Sequence, residues 1–170
     1  EKTRDIYTVI DGSRLSGRSC GTESVLERFI TSSLVVGLVA EQQGDRYGVL
    51  TFSDRIRRFV RAGSGRVHFG ACRDAVYGMA PELASPDFYE LSSFVRLRLR
   101  RRSLLMILTD LGDPVLSETF LRNIDLVCRQ HVVVVCMVRQ PAADPLFSRA
   151  GTDNVNRVYD DLGHHMIWMN

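Results

Sequence analysis

The sequence predicts an α/β protein: a three-layer, Rossmann-like sandwich with a mainly parallel sheet and one antiparallel edge strand. Three observations carry this. Apolar β-type runs alternate with amphipathic helical segments, the pattern of parallel strands joined by helical crossovers. Two of the runs, Tyr7-Thr8-Val9-Ile10-Asp11 and Leu104-Leu105-Met106-Ile107-Leu108-Thr109-Asp110, stop at an aspartate followed by a loop. In a parallel sheet both carboxylates stand on the C-terminal edge, where open α/β sheets bind ligands. A third run, His131–Val138, is strongly β-branched and apolar on both faces, as a central parallel strand is.

The elements follow in order. Asp5–Ile10 reads as a buried strand ending at Asp11, and Gly12–Gly21 as a polar loop rich in glycine and serine. A long helix follows over about 22–43, with Thr22 as its N-cap and Glu23 in its first turn. Val25, Leu26, Phe29, Ile30, Leu34, Leu38 and Val39 recur there at helical spacing. Tyr47–Phe52 is the second strand, and Ile56–Val60 returns antiparallel at a sheet edge after a Ser53-Asp54 turn. Helices are expected over about 67–79 and from Asp87 to about Arg101, with a loop at Pro81–Pro86 between them. Ser103–Thr109 is a strand, Asp110–Pro114 its loop, and Ser117-Glu118 opens a helix to Gln130. Beyond Gln140, short helices are expected over 144–150 and 153–162, and 164–170 is ambiguous.

The 170 residues suit one domain, 45% apolar and 25% charged, the balance of a globular protein. A chain of this size buries about 70% of its unfolded surface, enough for a core of its own. The net charge of +2 does not by itself point to nucleic acid. Lys2 is the only lysine, so the positive charge is almost all arginine. Genomic base bias explains this; a surface that grips acidic partners is the sharper reading. The cysteines at 20, 72, 128 and 136 form no Cys-x-x-Cys pair; Cys72, Cys128 and Cys136 sit in apolar-periodic segments and read as small buried thiols, which suggests a reducing compartment and no disulfide framework. No apolar run reaches the ~18 residues of a membrane span. No signal peptide opens the chain, which begins almost directly on a core strand, as a domain cut from a longer protein does.

Several blocks carry a family resemblance. They are Val9-Ile10-Asp11-Gly12-Ser13-Arg14-Leu15, Gln43-Gly44-Asp45-Arg46-Tyr47-Gly48-Val49-Leu50-Thr51-Phe52-Ser53-Asp54, Arg101-Arg102-Ser103-Leu104, Leu108-Thr109-Asp110-Leu111-Gly112-Asp113-Pro114 and His131-Val132-Val133-Val134-Val135. The chain resembles a von Willebrand factor A-like domain, and more closely the bacterial domain-of-unknown-function family 58, associated with MoxR-type AAA+ ATPases. The resemblance covers about residues 5–141 and leaves 142–170 as a C-terminal extension of a single domain. It implies a non-enzymatic protein-interaction module acting with a MoxR-type ATPase in the assembly or maturation of other proteins. It also implies a cytoplasmic location, or the cytoplasmic face of the inner membrane where an upstream segment tethers the full-length protein.

Domains of this type hold Mg²⁺ or Mn²⁺ in a metal-ion-dependent adhesion site: Asp-x-Ser-x-Ser after the first strand, a Thr from a middle loop and an Asp after a later strand. Hard cations take such carboxylate and hydroxyl oxygens. Carried over, Asp11, Ser13 and Asp110 occupy three of the positions. Leu15 stands at the third hydroxyl position and Pro86 at the threonine, and neither side chain ligates a metal. The resemblance therefore implies a degenerate site and no cofactor, with Mg or Mn admitted only if Ser16, Ser85 or Asp87 substitutes. Arg14 is placed to fold its guanidinium over the carboxylates and replace the cation's charge. The expected partner-binding face comprises Arg14, Asp87 and Asp113 beside these groups. A Mg-dependent adhesion-type binder and a metal-dependent hydrolase or phosphotransferase on the same edge are the alternatives.

Other constellations are thinner. Asp11-Gly12-Ser13 lacks the second aspartate of an Asp-x-Asp phosphotransferase motif, and Gly12-Ser13-Arg14 lacks the second glycine of a nucleophile elbow. His68, His131 and the His164-His165 pair are scattered. Arginines cluster at 55–61 and 96–102 without interleaved aromatics, which argues against single-stranded nucleic acid.

Overall fold

A computed structural model of the chain describes residues 3–139 and, beyond them, Tyr159. The elements expected over 144–150, 153–162 and 164–170 therefore fall outside the described residues, Tyr159 aside. The chain divides into two compact units, Glu1–Met137 and Val138–Asn170, and the architecture that follows is that of the first.

The elements are β1 (Asp5–Asp11), β2 (Ser19–Cys20), β3 (Glu23–Ser24), α1 (Val25–Gln42), β4 (Arg46–Phe52), β5 (Ile56–Gly63), α2 (Arg66–Val76), α3 (Phe88–Arg98), β6 (Ser103–Leu108), α4 (Pro114–Cys128) and β7 (Val132–Cys136). The main sheet runs β5-β4-β1-β6-β7. Its strands are parallel except β5, which pairs antiparallel with β4, the edge strand the sequence predicts.

Side chains alternate across each strand, so successive residues of β1 face opposite helical layers. Thr8 faces α1: its hydroxyl lies 2.7 Å from Ser33 Oγ and 2.7 Å from the Tyr47 hydroxyl. Tyr47 donates onward to the Ser33 carbonyl at 2.7 Å. Burial pushes the Tyr47 phenol up to about 12, so it stays a donor. Tyr7 and Val9 face the other way, into a core shared with Phe88, Leu91 and Val95 of α3 and Phe120, Ile124 and Val127 of α4. Edge-to-face contacts tie this layer together, Phe88 to Phe120 at 5.1 Å and Phe59 to Phe94 at 5.1 Å. Gly37 lets α1 lie close on the sheet, since a Cβ there would meet the Tyr47 ring at 2.6 Å.

Cys72 is buried as expected, but Cys128 is exposed and Cys136 only half-buried, because they lie on the outer side of α4 and on the edge strand β7. Three expectations about the elements also change. The first is the start of α1. It begins at Val25, and its cap is Ser24 rather than Thr22; Ser24 and Glu27 form a reciprocal capping box. Thr22 and Glu23 belong to the β2–β3 hairpin, which turns at Gly21 with φ +74°. Second, α4 begins at Pro114 rather than Ser117, because Asp113 accepts the Val115 and Leu116 amides. Third, β7 is not central. Among the described residues it is the edge of the sheet, and Val132, Val134 and Val135 are 46, 42 and 37% exposed. Val132 and Val134 point to one face and Val135 to the other, so the apolar run marks a strand here without marking its burial.

Candidate functional site

β1 and β6 are neighbours with Ile10 opposite Leu108, so Asp11 and Thr109-Asp110 leave the sheet side by side on its C-terminal edge. Asp11 is 1% exposed. Its Oδ1 accepts the Ser13 amide at 2.8 Å and its Oδ2 the Thr109 hydroxyl at 2.6 Å. Burial raises the Asp11 pKa; the Thr109 and Ser13 hydrogen bonds oppose this, and the Asp110 charge adds to the rise. Asp110 Oδ1 accepts the Gly112 amide at 2.9 Å, and its Oδ2 accepts Arg18 Nη1 at 3.0 Å. Each of the four carboxylate oxygens thus already receives a hydrogen bond from the protein.

The loops over this edge are stitched by their backbones. Gly12 N donates to the Phe52 carbonyl at 2.8 Å, Glu82 N to Gly12 at 2.8 Å, Arg14 N to Ala84 at 2.9 Å and Asp87 N to Ser53 at 2.8 Å. The segment between α2 and α3 is thereby fixed on the β4 side of Asp11. Side chains add a second layer beside it. Arg57 pairs with Glu82 and with Asp54, and its Nε donates to Ser53 Oγ at 3.0 Å.

The site residues read from the sequence fall into three groups. Asp11, Ser13 and Asp110 meet at the edge. Ser13 Oγ is buried there beside the Asp11 carboxylate, which it helps to keep charged, but makes no hydrogen bond of good geometry. Leu15 and Ser16 are buried by a short 3₁₀ turn, Arg14–Gly17, and Ser16 Oγ donates to the Ser13 carbonyl at 2.8 Å. Asp87 and Asp113 are helix caps: Asp87 accepts the Glu90 amide of α3 and Asp113 the first amides of α4. Ser85 is exposed and Pro86 buried.

Arg14 does not fold over the carboxylates. Its backbone is bonded to Ala84 on the β4 side, while Asp110 lies on the β6 side of β1. Arg18, beyond the 3₁₀ turn, makes that contact instead. Arg18, Thr109 and the Arg57–Glu82 pair were missed by sequence reasoning. The Arg18–Asp110 contact spans 92 positions and no local pattern announces it. Thr109 could have been found, since a threonine before a terminal strand aspartate sits beside the first strand's end.

This donor set fits a divalent cation poorly. Ser13 Oγ makes no hydrogen bond, Leu15 is buried and offers no oxygen, and Asp110 is already paired with Arg18. Among the described residues no group of three or more His, Cys, Asp or Glu is placed to hold a metal. A thiol nucleophile is not evident in Cys72, which lies 3.6 Å from His68 Nε2 but is pushed up to about 11 by burial. Among the described residues no helix is long and apolar enough to cross a membrane.

The parallel sheet, its antiparallel edge and the acidic C-terminal edge define a von Willebrand factor A-type domain. The chain belongs to the family described as protein of unknown function DUF58, whose profile matches residues 1–153. Solved structures with this fold include the SpRpn10 VWA domain, with TM-score 0.52 at 10% identity over 99% of this chain and 83% of that one. An aerotolerance-related membrane protein from Bacteroides fragilis NCTC 9343 has TM-score 0.54 at 12% identity, over 89% of this chain and 75% of that one. Conserved hypothetical protein BatB from Bacteroides thetaiotaomicron has TM-score 0.53 at 13% identity, over 89% and 74%. No curated protein sequence matches the chain.

Proposed function

We propose that the chain is a non-enzymatic protein-interaction domain whose binding face is the C-terminal edge of the sheet. Its adhesion site is degenerate there and the protein's own donors hold the two aspartates. One observation carries this reading: all four oxygens of Asp11 and Asp110 are engaged by protein groups on a rigidly stitched edge. Membership of the DUF58 family supports a partnership with a MoxR-type AAA+ ATPase in protein assembly or maturation, on the cytoplasmic side. Arg14 is exposed at the edge and contacts neither carboxylate, so it is available to a partner. Titration calorimetry against the purified MoxR-type ATPase of the same organism tests this. Arg14→Glu should weaken binding about tenfold, equivalent to ~1.4 kcal/mol. Arg100→Glu, which follows α3 at the opposite end of the strands, should leave it unchanged. Absence of binding, or equal loss in both variants, would overturn the reading.

A metal-dependent adhesion-type binder is the second reading, and the unpartnered buried Ser13 Oγ favours it. A crystal grown with Mn²⁺ that showed the ion on Asp11, Ser13 and Asp110 would establish it.

A further inference from the structure

We propose that Arg18 is the resident cation of this edge: its guanidinium holds Asp110 in place of a divalent ion and keeps such ions out. The inference rests on the reading of the edge as a degenerate metal site. Asp11 and Asp110 leave neighbouring strands side by side, and Thr109, next to Asp110 in the chain, donates its hydroxyl to Asp11 Oδ2 at 2.6 Å. Two neighbouring carboxylates, one of them almost fully buried, call for a counter-charge. The protein supplies it from Arg18, whose Nη1 lies 3.0 Å from Asp110 Oδ2. Asp110 is well covered, its side chain 16% exposed, so the pair is only partly screened by water.

The chain path sets up this contact. The Arg14–Gly17 turn reverses the loop, and the Val25 amide holds the Arg18 carbonyl at 2.9 Å at the entrance to α1. Arg18 itself is extended, φ −63° and ψ 140°, and its side chain reaches the β6 side of the edge. A guanidinium there differs from a metal ion in its demands. It brings one charge rather than two, needs no octahedral oxygen shell, and tolerates Leu15 as a neighbour. An incoming dication would share Oδ2 with Nη1 or displace it, and in either case would face a cation a few ångströms away. The Arg18 side chain itself stays half exposed, 49%, so it can be replaced without opening the core.

The test is a Mn²⁺ titration followed by the electron paramagnetic resonance signal of the unbound ion. Wild type, Arg18→Ala, Arg18→Lys, Asp110→Ala and Arg18→Ala/Asp110→Ala are compared. Arg18 is exposed enough for its variants to fold, and superimposable thermal melts check this. Arg18→Ala should bind Mn²⁺ about tenfold more tightly than wild type, since a repelling charge has gone. Arg18→Lys should stay near wild type, and the double variant should lose the gain. Equal affinity in wild type and Arg18→Ala would overturn the proposal while leaving the degenerate site standing, because Leu15 and Pro86 alone would then explain it. A gain that survives Asp110→Ala would overturn it too, placing the ion elsewhere. Micromolar binding by wild type that is lost in Asp110→Ala would overturn both readings.

Discussion

At the scale of single residues, Asp11 shows two opposed forces on one charge. Burial disfavours the carboxylate, while the Thr109 hydroxyl and the Ser13 amide favour it, and burial wins. The sign for stability follows. A folded-state pKa above the ordinary 3.8 means that the folded state binds the proton more tightly than the unfolded chain. The contribution is therefore fully present below the unfolded value and is lost as pH rises through the folded one. Asp11→Asn keeps an oxygen acceptor and removes the titration. Wild type should lose stability relative to Asp11→Asn as pH is raised from the unfolded value towards neutrality, read as the difference between their urea midpoints. Parallel midpoints across that range would show that Asp11 is not perturbed. Asp11 and Asp110 were legible in the sequence because each ends a strand that its own apolar run defines. Arg18 was not, because its role depends on where a loop is carried by contacts distant in the chain.

At the scale of elements, the helices and strands were legible as runs and their ends less so. The Ser24-x-x-Glu27 capping box is a local signal, yet Thr22 followed by Glu23 offers an N-cap and a first-turn acid two residues earlier. The hairpin at Gly21 decides between them, and two-residue strands leave no periodicity to read. The seating of α1 shows the same division between pattern and packing. Its apolar spacing gives the helix; the absence of a side chain at Gly37 gives its distance from the sheet. Gly37→Val places atoms where the Tyr47 and Phe69 rings stand, at 2.6 and 2.9 Å from even a Cβ. Such overpacking typically costs about 1–3 kcal/mol, which chemical denaturation of the variant would read directly. An unchanged midpoint would mean that α1 shifts without loss and that the close approach is incidental.

At the scale of the whole molecule, the parallel order follows from the alternation of strand and helix, and the antiparallel edge from the short Ser53-Asp54 turn, where no helix intervenes. The lateral place of β7 does not follow, since all-round apolarity is compatible with several positions in a sheet. The C-terminal edge is a property of the assembled fold: four segments meet there, and backbone bonds join three of them. The amides of Gly12, Arg14, Glu82 and Asp87 should therefore exchange slowly with deuterium, and chelator should not speed them. Fast exchange, or protection that vanishes with chelator, would show that an ion rather than the backbone holds the edge.

The main-chain stitching of that edge has a consequence for what can vary. A peptide N–H and a carbonyl are supplied by nearly every residue type, so the loop positions do not depend on the side chains that decorate them. Leu15 and Pro86 offer no side-chain hydroxyl, while Gly12, Arg14, Glu82 and Asp87 make their bonds through the main chain. The edge is thus a mounting plate with interchangeable fittings: its chemistry can be rewritten one side chain at a time while its shape is retained.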